Sequence, residues 1–227
     1  MSDLAAYFSL VTSRPELFSN PPGAGFEILL KEAEIQQAQK HAAEKLEKSG
    51  APAEWAQVGV AFRDQYVLIL RDAVRFPDGS LGTYIRSVPP AGSFPGVVVL
   101  PVWQGQVLLV RHFRHATRTW HLELPRGFGM SADIRDSARR ELMEEIGASE
   151  IRLSNLGASY PDAGMDSSYV AFFYADIGSF GKPELHEAIT DILPTPVDEF
   201  ERMIRDGELT DGFLLAAYGL AKARNLI

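Results

Sequence analysis

The chain has 227 residues, 46% of them hydrophobic and 23% charged, enough to bury a full core as one domain or one domain with an appendage. Its net charge of −8 argues against broad binding to a phosphate backbone, and with no cysteine it has neither disulfides nor thiolate metal sites. No apolar run is long enough to span a bilayer and no secretory signal pattern is present, so we expect a cytoplasmic protein without membrane or nucleic-acid partners.

Residues 1–54 read as a helical extension. Pro21, Pro22, Gly23 and Gly25 break its opening, after which Ile28, Leu29, Ile35, Ala38 and Leu46 mark one charged amphipathic helix ending at Ser49-Gly50. Residues 55–227 form the expected main domain, with a β arm over 55–90 and a core over 91–227. In the arm, Val58-Gly59-Val60, Tyr66-Val67-Leu68-Ile69-Leu70 and Thr83-Tyr84-Ile85-Arg86 are β-rich, and Pro77-Asp78-Gly79 is a turn between the last two.

In the core, residues 97–100 and 107–110 are buried-type strands joined through Gln104-Gly105. A basic cluster follows, Arg111-His112-Phe113-Arg114-His115, whose Arg111 and Arg114 present the planar donor forks that grip phosphates. Next come Trp120 and the run Leu122-Glu123-Leu124-Pro125-Arg126-Gly127. Further on, residues 170–175 read as a strand. Residues 178–183 form a loop running into Glu184-Leu185-His186-Glu187, and the tail divides into two helices at Asp206-Gly207-Glu208.

The most informative segment is Arg140-Glu141-Leu142-Met143-Glu144-Glu145-Ile146-Gly147. On a helix its three carboxylates share a face, while Ile134, Ala138 and Leu142 form an apolar stripe on another, so the helix should dock on a core and show its acids outward. Each like-charged pair costs an isolated helix a few tenths of a kcal/mol, roughly 0.2–0.5. Clustered carboxylate oxygens suit a hard divalent ion such as Mg²⁺ or Mn²⁺, and an ordinary solvated acidic face is the alternative reading. Asp133 is placed to cap the start of this helix and Gly147 its end.

Together these residues resemble the signature box of the Nudix hydrolases, residue for residue from Arg140 to Gly147, with Ala148 smaller than usual at the last position. The stretch from Gly127 to Arg140 is one residue shorter than the pattern requires, so its glutamate falls on Ala132 or Asp133. The resemblance implies a Nudix-type α/β/α sandwich, an α/β fold, carrying the helical appendage and the β arm. It makes Glu141, Glu144 and Glu145 the ligands of Mg²⁺ or Mn²⁺, with Glu144 and Glu145 catalytic through that ion. Arg140 becomes the cation that braces them, and Gly127 and Gly147 are structural.

The arm resembles that of the ADP-ribose pyrophosphatase and nucleoside-diphosphate-sugar branch, in which paired subunits exchange the arm and it helps hold the adenosine. Tyr84 and Arg86, with Phe76, are then the candidates on the arm, and Arg111, Arg114 and Glu123 those on the core. Pro161, within Tyr160-Pro161-Asp162-Ala163-Gly164-Met165, resembles the subgroup's proline loop but arrives two positions early. A loop glutamate serves relatives as base, which points to Glu187 first and Glu184 second. The implied activity is metal-dependent hydrolysis of a nucleoside diphosphate linked to another moiety, ADP-ribose to AMP and ribose 5-phosphate, by a homodimer. The alternative is a catalytically silent protein that binds ADP-ribose as a sensor.

Overall fold

Asp3 starts the first helix, its carboxylate accepting from the Ala6 N–H at 2.8 Å, and a computed structural model describes residues 2–182 and 188–227. The chain forms two units, one of residues up to Ala91 together with Asp162–Ser167, the other of Gly92–Pro161 and Ser168–Ile227.

In the first unit, helices α1 (Leu4–Ser13) and α2 (Glu32–Lys48) pack with a four-stranded antiparallel sheet of β1 (Glu27–Leu29), β2 (Gly59–Arg63), β3 (Leu68–Arg75) and β4 (Leu81–Val88). β3 is central: β4 pairs with it along its whole length, while β2 and β1 divide its other edge. The Pro77-Asp78-Gly79 turn connects β3 to β4 as expected, with Gly79 at φ +83° and Asp78 accepting from the Ser80 N–H. Tyr7, Phe18, Leu29, Ile35, Val60, Leu68, Leu70 and Val88 are buried in one core. The helices and the β arm therefore share an interior.

One expectation is corrected. Ile28 and Leu29 are not the start of the amphipathic helix but lie in β1, opposite Val74 and Ala73. The cause is a side chain acting as a strand neighbour: Asn20 donates to the Ile28 carbonyl at 2.9 Å and accepts from the Ile28 N–H at 2.8 Å. With both backbone groups of Ile28 satisfied in extended form, the helix begins only at Glu32.

The second unit is built on β5 (Phe94–Trp103), β6 (Gln106–Arg114), β7 (Thr119–Glu123), β8 (Arg126–Gly129), β9 (Arg152–Ser159), β10 (Val170–Asp176) and β11 (Ile189–Pro196). The sheet order is β11-β6-β5-β10-β9, with β7 added to β6 and β8 to β5. β5 and β10 are parallel at its centre and read as continuous apolar runs, as strands covered on both faces do. On one face, α4 (Val197–Arg205) and α5 (Gly212–Lys222) bury Phe200, Leu214, Ala217 and Ala221 against Leu100, Leu109 and Phe172. On the other, α3 (Ile134–Ile146) buries Ala138, Leu142 and Ile146 against Val99, Leu108, Val110 and Phe173. Alternate residues of β6 thus feed opposite cores, which makes the α/β/α sandwich. Among the described residues no helix is long and apolar enough to cross a membrane.

Candidate active site

The acidic helix α3 begins and ends where its sequence says. Asp133 accepts from the Arg135 N–H at 2.9 Å, and Gly147 closes the helix in the left-handed region at φ +57°, its N–H returning to the Met143 carbonyl at 3.0 Å. With Ala138, Leu142 and Ile146 turned into the core, the three glutamates emerge together on the flank.

That flank is not open to water, which corrects the outward-facing acids expected from the pattern. Glu141 is 7% exposed and Glu145 is 2% exposed, and only Glu144 is half-buried. The reason is β8. The Arg126 backbone N–H donates to Glu145 Oε2 at 3.1 Å, and a side chain on Gly127 would be driven into the Glu141 carboxylate. The first two residues of β8 therefore seat two glutamates of the helix. Arg140 lies between the others, with Nη2 3.3 Å from Glu141 Oε1 and Nε 3.4 Å from Glu144 Oε1. A guanidinium so placed offsets the crowding of like charges along the helix.

A second constellation sits at the mouth of β7. Glu123, 1% exposed, pairs with Arg114 Nη2 at 2.5 Å and with Arg126 Nη2 at 3.1 Å. Burying a carboxylate is costly unless it is paired and hydrogen-bonded, and two guanidinium groups meet that need here. Arg126 continues to Asp211 at 2.9 Å and lies over the Phe213 ring at 4.8 Å. His112 is buried beside this cluster, on the strand face it shares with Glu123 across the β6–β7 ladder. Burial and the nearby Arg114 charge push its pKa down to about 4, so the imidazole is neutral near pH 7. Its Nδ1 has no hydrogen-bond partner among the described residues.

Arg111 is placed differently. Its side chain is half-exposed, 3.9 Å from Asp191 and stacked over Trp120 at 5.2 Å. Pro161 is exposed after β9.

Tyr84 and Arg86 belong to the first unit. The Tyr84 hydroxyl donates to the Gly164 carbonyl at 2.6 Å, and Arg86 pairs with the buried Asp72 at 2.6 Å while also donating to the Leu17 carbonyl. Both line a cavity of about 310 Å³ together with Phe26, Val74, Met165 and Asp166. Glu184 and Glu187 lie outside the described residues. Arg126, Asp211 and His112 were not singled out from the sequence as functional, although Asp211 ahead of Gly-Phe-Leu-Leu reads locally as a helix cap.

The donors on α3 are all carboxylate oxygens, which fits a hard cation in kind. Among the described residues no three acidic or imidazole side chains converge closely enough to cage an ion.

The site is thus a mixed sheet between helical layers, with a glutamate-rich helix seated against the Arg126-Gly127 start of β8. The comparisons make the assignment specific: the NUDIX domain model matches residues 92–207, just over half of the chain, and the chain belongs to the Nudix family. That family generally uses divalent metal ions and acts on small nucleotide-linked substrates. A solved structure described as an ADP compounds hydrolase superposes with a TM-score of 0.62 at 19% identity, covering 74% of this chain and 90% of that one. At that identity the likeness establishes the fold. No curated protein matches the chain.

Proposed function

We propose that the protein hydrolyses a nucleoside diphosphate linked to another moiety, with ADP-ribose as first substrate and AMP and ribose 5-phosphate as products. The observation that carries this reading is the seating of Glu141 and Glu145 against the backbone of Arg126 and Gly127, with Glu144 beside Arg140. The fold shared with a solved ADP compounds hydrolase supports the substrate class. Mg²⁺ or Mn²⁺, drawing the Glu141, Glu144 and Glu145 carboxylates closer together than they stand here, would neutralise phosphate charge and acidify the attacking water.

Arg111, exposed and backed by Trp120, meets the diphosphate, and Arg114 joins it while Glu123 holds that guanidinium in place. Glu187 takes the proton from water, with Glu184 as the alternative. Positioned bases contribute on the order of 10²–10⁴-fold. Glu187→Gln should therefore lower kcat by that scale with little change in KM, and Glu184→Gln by less than about tenfold. The reverse ranking transfers the role to Glu184.

The test is incubation with ADP-ribose and Mg²⁺, followed by chromatographic detection of AMP, alongside a panel of nucleotide sugars, dinucleoside polyphosphates and coenzyme A. The shortened box loop, with Ala132 or Asp133 where the family pattern has glutamate, favours a second reading: a silent ADP-ribose sensor. Tight binding without AMP in a single-turnover experiment would select it.

We further propose a cytoplasmic homodimer. Phe62, Tyr66 and Val67 are exposed where β2 turns into β3, and apolar clusters of this kind mark interaction surfaces. A particle of 25.0 kDa by light scattering at micromolar protein would exclude the dimer.

A further inference from the structure

Two bonds made by one residue connect the acidic helix to a distant part of the second unit. The Arg126 backbone N–H donates to Glu145 Oε2 at 3.1 Å, while its guanidinium donates to Asp211 Oδ2 at 2.9 Å and pairs with Glu123 at 3.1 Å. Asp211 is the N-cap of α5, and its other oxygen, Oδ1, accepts from the Leu214 N–H at 2.9 Å. Phe213, one residue into that helix's first turn, supplies the ring beneath the guanidinium.

The pairs are well shielded. The Arg126, Asp211 and Glu123 side chains are 17%, 11% and 1% exposed, so solvent screens them little and two charge-assisted bonds fix the guanidinium from opposite sides. A side chain clamped at both ends restrains the backbone that carries it, and here that backbone holds Glu145. Pro125 adds to the restraint, since its ring fixes φ and its carbonyl accepts from the Val99 N–H at 2.9 Å.

We infer that Arg126 is a positioning residue for Glu145, set by Asp211, so that the start of the C-terminal helix α5 fixes the geometry of the diphosphate-hydrolysing site. The inference rests on the function proposed above. It assigns a second duty to a helix whose apolar face already has a packing role. In this reading neither Asp211 nor the Arg126 side chain touches the substrate. Misplacement of a reacting group by about 1 Å costs up to about 10²-fold in rate, so loosening this clamp should appear in kcat rather than in KM.

Asp211→Asn separates positioning from folding. Asparagine is as good an N-cap as aspartate, so its side-chain oxygen keeps the bond to the Leu214 N–H while the charge facing Arg126 is removed. The expected result is a nearly unchanged melting temperature, a kcat lowered by about tenfold or more with KM within about twofold, and a higher Mn²⁺ concentration for half-activation. Arg126→Gln should show the same kinetic change with a lower melting temperature, since the buried Glu123 loses one of its two guanidinium partners, and the kcat of the double variant should be no worse than that of the more damaged single one, because both break one clamp. Hydrogen exchange gives a readout without turnover: the Arg126 amide should be protected in the wild type and exchange faster in Asp211→Asn. Wild-type kcat together with unchanged amide protection in Asp211→Asn would overturn the inference. If the wild type releases no nucleoside monophosphate from any nucleoside diphosphate derivative, the proposed function falls, and the amide exchange still decides whether Asp211 sets the Glu145 contact.

Discussion

Gly127 and Glu141 occupy what is in effect one space: the glutamate carboxylate fills the position a Cβ on residue 127 would need. Glycine is required here for close approach and not for an unusual backbone conformation, since Gly127 is absent from the positive-φ residues.

Gly127→Ala should therefore leave a folded protein with a displaced Glu141. The crowded atoms are the far end of a flexible side chain, so the stability cost should be that of modest overpacking, about 1–3 kcal/mol. Activity should fall much further than that suggests. Thermal unfolding and steady-state kinetics on the same sample check the two halves, and full activity in the Gly127→Ala variant would separate Glu141 from function.

Metal binding should raise stability. A ligand that binds only the folded state contributes RT ln(1 + [L]/Kd), roughly 2.7 kcal/mol at one hundred times Kd. Millimolar Mg²⁺ or Mn²⁺ should increase the melting temperature, more so with a diphosphate present. In Glu145→Gln the amide oxygen can still accept from the Arg126 N–H, so the fold should persist while activity drops on the order of 10²-fold and the metal-induced shift shrinks. Normal turnover by this variant would remove Glu145 from the ligand set.

The sequence made the ends of α3 legible because caps are local: Asp133 reaches two residues ahead and Gly147 closes its own turn. The apolar stripe was legible for the same reason. The burial of Glu141 and Glu145 was not, because it depends on β8 crossing the helix, a contact set by sheet pairing with β5. The Arg126–Asp211 pair spans 85 positions, and nothing in either neighbourhood announces the other. β1 was missed because its partner β3 lies far along the chain, and Asn20 ties the backbone of Ile28 from a segment that reads as a breaker.

His112 predicts an acid-side loss of stability. Its folded pKa, about 4, lies below the ordinary histidine value of about 6.5, so between these values the unfolded chain binds the extra proton. The neutral ring therefore costs nothing above pH 6.5, and stability falls as the pH drops from about 6.5 towards 4, by roughly 3 kcal/mol at most. Urea denaturation at a series of pH values should show that slope, and His112→Leu should flatten it. Parallel curves for the two proteins would show that the buried imidazole does not titrate in this window.

Arg86→Met should destabilise the first unit strongly. Asp72 is 2% exposed and would be left leaning on the Tyr7 hydroxyl, 2.5 Å from Oδ1. Burial first, and then the Asp72 charge, hold that hydroxyl protonated well above the usual tyrosine range, so it remains a donor. An orphaned buried carboxylate costs about 3–5 kcal/mol. The double variant Asp72→Asn/Arg86→Met should recover part of this, and equal destabilisation of single and double variants would show that the loss is packing alone.

The segment Asp162–Ser167 lies far along the chain yet belongs to the first unit, where the Ser87 N–H donates to the Met165 carbonyl at 2.7 Å and the Ser87 carbonyl accepts from the Ser167 N–H at 3.1 Å. During synthesis, β4 therefore emerges from the ribosome with an unfinished edge. It stays so until β5 to β9 and the whole acidic helix have also been made, although domains otherwise tend to fold in order of appearance. Nascent chains stalled before and after Ser167 has cleared the ribosome should differ in protease resistance within their first ninety or so residues, which makes completion of the N-terminal unit a late event in the life of the polypeptide.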